Sequence, residues 1–109
     1  MKIWVDDVRP APDDGSLWMP VKSVNEAIES IKLCEYVFNG FAHIRKGEIE
    51  LIDIDHDAGD YASDGGDYIK ILDWLEETGR NYPIHIHSMN PVGVENMRRI
   101  IQRNGWKEV

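Results

Sequence analysis

The hydrophobic pattern of the chain switches repeatedly between the strand period and the helix period. Ile3, Trp4 and Val5 form a continuous apolar run closed by Asp6 and Asp7, the pattern of a strand covered on both faces. Val8-Arg9-Pro10-Ala11-Pro12 cannot extend a sheet, because its prolines fix φ and lack donors. A turn at Asp13-Asp14-Gly15 leads to a second strand over Leu17 to Lys22, which Pro20 assigns to a sheet edge. Ser23-Val24-Asn25-Glu26 is a capping box, and Val24, Ala27, Ile28 and Ile31 follow at helical spacing. Two continuations fit Asn39-Gly40. One is a hairpin turn between Tyr36-Val37-Phe38 and Phe41-Ala42; the other, which we favour, is a helix C-cap followed by a second short helix. Lys46-Gly47 then leads into the stretch LIDIDHDAG, Leu51 to Gly59. Leu51, Ile52 and Ile54 read as a short buried strand, and Asp55, His56 and Asp57 crowd at its C-terminal end.

The second half repeats the alternation. Gly59 to Gly66 has the composition of a loop. Asp67 to Thr78 is a helix carrying Tyr68, Ile71, Leu72 and Leu75 on one face, with Gly79 as its stop. Pro83 introduces a strand over Ile84 to Ser88. Asn90-Pro91 opens a last helix with a cap and a proline at its first position; Val94, Met97, Ile100 and Ile101 are its apolar stripe and Gly105 ends it. Trp106 to Val109 is a short final strand. Strands alternating with helices imply parallel pairing through right-handed crossovers. The expected architecture is therefore one α/β domain over residues 1–109, a doubly wound parallel sheet in the order 2-1-3-4(-5) with a short or degenerate fifth strand. In that order the first, central and Ile84 strands are neighbours, about 4.8 Å apart. Their polar C-terminal ends then converge where open α/β sheets bind ligands.

Composition changes this picture only by exclusion. At 109 residues, 42% hydrophobic and 29% charged, the chain suits one folded domain and not a disordered one. No apolar run approaches the roughly 18 residues of a membrane helix. MKIWVDD turns acidic too early for a signal peptide, and a single cysteine, Cys34, allows no internal disulfide. Together these features point to the cytoplasm. Cys34 sits in a helical pattern and reads as a small core residue. A net charge of −8 argues against a broad nucleic-acid surface but leaves room for a compact site that handles one phosphate through a metal ion. The four tryptophans read as core or rim and not as a stacking platform.

The candidate chemistry lies at the strand ends. Carboxylates gathered from Asp6, Asp7, Asp55 and Asp57 repel one another unless a cation or protons intervene. Their hard oxygens suit Mg²⁺, Mn²⁺ or Ca²⁺; the bland alternative is helix capping and pairing with Arg9, Arg45 or Arg98. Asp53, in mid-strand, reads as structural, pairing with a buried donor. His85 and His87 share one strand face. His87, nearer the end, is the first candidate general acid or base and His56 the second; a softer metal would recruit these imidazoles instead. His85 reads as a satisfied core side chain and His43 as surface. Arg9 suits a bidentate grip on phosphate, equally a surface ion pair. Ser88, Asn90 and the start of the Pro91 helix offer hydroxyl, amide and backbone donors to an anion, although a helix cap alone explains Asn90 as well.

The layout of Asp6-Asp7 after strand one, Asp55 after the central strand and Ser88 after the next resembles the receiver domain of two-component signalling. More specifically, DDVRPAP, DIDHDAG and HIHSMNPVG together resemble the divergent branch of cyclic-phosphate-processing receiver domains. The resemblance implies a receiver-like, flavodoxin-like fold, with a divalent cation such as Mg²⁺ or Mn²⁺ held by Asp6, Asp7 and Asp55. It also implies that Asp55 matches the receiver's phosphoacceptor, that Ser88 matches its hydroxyl residue, and that His56, Asp57, His87 and Asn90 match the added polar positions of the branch. The receiver's lysine has no match, since Lys107 stands at the start of a very short last segment. That absence weighs against ordinary phosphorelay switching, and the added histidines point to acid–base chemistry.

Two functions follow. The first is a metal-dependent phosphoesterase acting on a cyclic phosphate, with a nucleotide or an RNA end as its partner. Asp6, Asp7 and Asp55 hold the cation; His87, His56 and Asp57 serve proton transfer; Arg9, Ser88 and Asn90 hold the phosphate. The second is a non-enzymatic module that uses Asp55 and a cation to bind a phosphorylated ligand or a protein partner. A duplicated two-histidine phosphoesterase is a poor third, since HIHS is its only faint trace.

Overall fold

Val5 and its neighbours form the centre of the sheet because they alternate two environments along an apolar run. The computed structural model describes residues 1–40 and 49–109. Among these, β1 (Lys2–Val5), β2 (Trp18–Val21), β3 (Leu51–Ile54) and β4 (Ile84–Ile86) form a sheet in the order β2-β1-β3-β4. All pairings are parallel, with Val5 opposite Val21 on one side and Ile54 on the other, and Ile54 opposite Ile86. The expected fifth strand is degenerate: Glu108 makes an isolated parallel bridge to Ile84. Ile84 N donates to Lys107 O, and Val109 N donates back to Ile84 O. β2 lies at the edge, where Pro20 leaves no inner donor missing.

The helices α1 (Val24–Gly40), α2 (Ile69–Glu77) and α3 (Pro91–Asn104) connect successive strands. Helix α1 runs through Asn39-Gly40, so no hairpin turn forms there; the second short helix and the Lys46-Gly47 lead-in fall outside the described residues, as does His43. Alternation along each strand sends Ile3, Val5, Val21, Ile52, Ile54 and Ile84 into one core, together with Ala27 and Ile31 of α1, Ile71 and Leu75 of α2, and Met97 and Ile101 of α3. All three described helices therefore cover the same face of the sheet. This follows from handedness: β2, β3, β4 and the last segment progress in one direction across the sheet, and right-handed crossovers put their helices on one side. The turn from β1 back to β2 carries no helix.

The opposite face, which the run Ile3-Trp4-Val5 led us to expect beneath helices, is covered differently. Trp4 is only 7% exposed. Its indole N–H donates to Arg9 O at 2.8 Å, so the proline-containing loop after β1 folds back over it. Trp18 meets it edge-on at 5.6 Å.

The ends of the helices follow the expected chemistry. Ser23 Oγ accepts from Glu26 N, and the Glu26 carboxylate accepts from Lys22 N. Asn90 Oδ1 accepts from Gly93 N, with Pro91 in the first turn. Gly105 ends α3 with φ +67°, a left-handed conformation that glycine adopts without strain. Helix α2 begins later than the pattern suggests, because the Asp67 carboxylate is used to accept from Ala58 N.

Candidate functional site

Each strand of the inner trio ends in a residue that cannot stay buried alone, and the site is how they pair. The Asp6 side chain is fully buried at the end of β1. Its Oδ1 accepts from Val8 N at 2.9 Å and Arg9 N at 2.8 Å, and this Asx turn starts the loop. Its other oxygen, Oδ2, accepts from His87 Nε2 at 2.9 Å. His87 lies just past β4, its side chain 10% exposed, and its ring stacks on the Trp4 indole at 3.9 Å with the planes 1° apart. Its second nitrogen, Nδ1, donates to Asp53 Oδ1 at 2.6 Å, and His85 Nδ1 reaches the same oxygen at 2.9 Å.

Both ring nitrogens of His87 thus face carboxylate oxygens, an arrangement only the imidazolium satisfies in full. Burial of the ring opposes the charge, but the hydrogen bonds and charges of Asp53 and Asp6 outweigh it and raise the His87 pKa above its ordinary value. The same contacts act on the acids. Burial pushes Asp53 up, yet His87 and His85 hold it below the usual carboxylate range. For Asp6, burial is outweighed by the Arg9 and Val8 amides and by His87.

Asp55 completes the cluster from the end of β3, with Oδ1 accepting from His56 N at 2.7 Å. Asp6, Asp55 and His87 each bring one ligand atom within 4.8 Å of the other two. Two carboxylates and an imidazole, with Asp53 fixing that imidazole from behind, are a donor set that can hold a divalent cation. Asp7 is not part of this set. Its Oδ2 lies against Gly59, where an added Cβ would come within 2.3 Å of it; φ of +56° also favours glycine there.

A second group gathers between β3 and α3. His56 Nδ1 bonds Asp57 Oδ1 at 2.8 Å, and Asn90 Nδ2 lies 3.4 Å from both Asp57 oxygens. The His56 hydrogen bond, opposed by slight burial, holds Asp57 below the usual carboxylate range. The His56 ring rests on Gly93, where a Cβ would come within 2.4 Å of its Cγ, so only glycine fits at that turn. Ser88 Oγ accepts from Asn90 N at 3.1 Å, and Asn90 caps α3. Arg9 is half-exposed at the rim, its Nε 3.9 Å from Asp6 Oδ2.

The model of the cyclic-phosphate processing receiver domain family matches residues 1–103. The chain belongs to that family. No curated protein and no solved structure gives a significant match to it. In this receiver domain the position corresponding to the second acid of the usual pair, Asp7, turns towards Gly59. Lys107, where the receiver lysine was sought, is exposed and contributes its carbonyl to Ile84 N.

Reasoning from the sequence missed two parts of the receiver site. Asp53 does pair with a buried donor, but that donor is His87 itself, which makes Asp53 part of the constellation. The signal was the shared two-residue spacing of Asp53-Asp55 and His85-His87, which becomes contact only in the register that sets Asp53 beside His85. His85 is not a core side chain: it is 44% exposed, because no described helix covers that sheet face. The second miss is Tyr68. Its hydroxyl donates to Lys22 O at 2.7 Å, and burial together with the charges of Asp7, Asp6 and Asp55 raises its pKa.

Proposed function

We propose that this domain is a metal-dependent phosphoesterase that opens a cyclic phosphate on a nucleotide or RNA end. The observation that carries the proposal is the convergence of Asp6, Asp55 and His87 at three adjacent strand ends, within a chain of the cyclic-phosphate processing receiver family. Asp6 and Asp55 hold the cation, which when bound polarises the phosphoryl oxygens and lowers the pKa of its water. His87, held as an imidazolium between Asp53 and Asp6, gives its proton to the departing sugar oxygen. His56, oriented through Nδ1 by Asp57, takes the proton of the attacking water on Nε2. Arg9 at the rim, with Ser88 and Asn90 at the start of α3, holds the phosphate oxygens. The two carboxylates supply hard oxygen ligands that suit Mg²⁺ or Mn²⁺.

The test is hydrolysis of 2′,3′- and 3′,5′-cyclic nucleotides and cyclic-phosphate RNA ends, with either cation and with chelator. The expected result is cation-dependent turnover that falls by on the order of a hundredfold or more in Asp55→Asn and in His87→Ala, while the far-UV spectrum is kept. Undiminished turnover in both variants would sink the assignment. Cation-dependent phosphate binding without turnover would instead support a non-enzymatic module built around Asp55.

A further inference from the structure

A groove of about 440 Å³ opens beside the acidic cluster, between the loop after β1 and the edge strand β2. Its lining includes Trp4, Arg9, Pro10, Trp18, Pro20 and Lys22. We propose that this groove is a nucleobase subsite, taking the base of a nucleoside phosphate whose phosphate lies at the Asp6–Asp55–His87 cluster. The inference rests on the phosphoesterase reading and adds where the organic part of the substrate goes.

Three observations carry it. First, groove and cluster share a wall: Asp6 lines the groove and is one of the three converging groups. Trp4 bridges them, since the ring that borders the groove also stacks on His87 at 3.9 Å. A phosphate at the cluster therefore has its ester substituent directed at an aromatic wall. Second, the charge is complementary. The chain carries a net charge of −8, yet the groove is bordered by Arg9 and by the exposed Lys22, whose Nζ bonds Asp7 O at 3.1 Å. Cations beside aromatic and proline surfaces suit an anion with a flat apolar body. The volume lies within the range of roughly 300–1,000 Å³ typical of small-molecule sites.

The third observation sets the selectivity. Both indole N–H groups are already spent: Trp4 donates to Arg9 O at 2.8 Å and Trp18 to Asp14 Oδ1 at 3.0 Å. What the tryptophans offer a ligand is carbon surface. Every base has a π-face, so such a wall stacks bases without reading their edges. The subsite is therefore tolerant of base identity, and the bond specificity resides at the cluster.

The experiment titrates the protein with adenosine 3′-monophosphate, uridine 3′-monophosphate, inorganic phosphate and a trinucleotide ending in 3′-phosphate, all with Mn²⁺, following tryptophan fluorescence and calorimetry. Both mononucleotides should bind more tightly than inorganic phosphate. Trp18→Ala should weaken both by on the order of tenfold and leave inorganic phosphate unchanged, whereas Trp18→Phe should retain most of the affinity. Equal binding of the trinucleotide and the mononucleotides would assign the groove to a single base. Tighter trinucleotide binding that Trp18→Ala removes would assign it to an RNA end. Nucleotides binding no better than inorganic phosphate, or a Trp18→Ala effect shared equally by both ligands, would overturn the groove and leave the cluster standing. Failure of inorganic phosphate itself to bind would remove the cluster reading and the subsite with it.

Discussion

At the scale of single residues, Asp53 decides the state of His87. A carboxylate that accepts from an imidazole Nδ1 fixes the ring's orientation, and here it sets Nε2 against Asp6 Oδ2. Here Asp53 also accepts from His85, so a single oxygen serves two rings. Asp53→Asn keeps the size and an acceptor but removes the charge. We expect turnover to fall by about 10–100-fold, the usual cost of losing such a partner, with little change in nucleotide affinity. A variant with unchanged kcat would show that His87 needs no support from Asp53. Asp53 remains fully paired in the fold, and among the described residues no buried side-chain nitrogen or oxygen lacks a partner. The cluster is thus satisfied without a ligand, through protons shared between histidines and acids.

At the scale of elements, the start of α1 shows how a local signal acquires a tertiary task. Ser23 is buried and caps the helix by accepting from Glu26 N at 3.0 Å. Its hydroxyl also donates to Asp64 Oδ2 at 2.6 Å, and Asn25 Nδ2 donates to Asp64 Oδ1 at 2.9 Å. The loop between β3 and α2 is thereby tied to α1, just beyond the short 3₁₀ turn Gly59–Ser63. Ser23→Ala should cost about 1–2 kcal/mol in urea unfolding, without altering the kinetic constants of the folded protein. A loss below a few tenths of a kcal/mol would mean that water replaces the cap. Helices α2 and α3 are joined at the surface by Glu76, which accepts from Arg103 Nε at 2.9 Å. That exposed pair contributes little to stability.

At the scale of the molecule, the shared protons make stability depend on pH in a definite window. The folded His87 pKa lies above its ordinary 6.5, so its contribution is complete below 6.5 and is lost as pH rises through the folded value. Asp6 and Asp53 are held below their ordinary 3.8, so their contribution is complete above 3.8 and is lost as pH falls through the folded values. Without cation, the cluster therefore favours the fold most between 3.8 and 6.5. Urea unfolding in chelator should show stability declining on the alkaline side of that window, and His87→Gln should flatten that decline. An alkaline limb of the same slope in the variant would assign it to other groups. Among the described residues no helix is long and apolar enough to cross a membrane.

The amino-acid sequence by itself determined the elements and their order. Apolar runs, prolines and caps are local signals, and they located β1, the edge strand, the start of α1, and α3 with its terminal glycine close to where they lie. The strand order follows by analogy with doubly wound sheets of few elements; it is the order observed, and it brings Asp6, Asp55 and His87 together. Side-chain pairing was not legible, because hydrogen-bond partners depend on register and on which sheet face lacks a helix. Those decided that Asp53 holds His87, that His85 is half-exposed and that Asp7 turns to Gly59. The same tertiary choice placed Trp4 and Trp18 along a groove beside the acids. An isolated tryptophan reads as core; only its neighbours across the sheet reveal a wall.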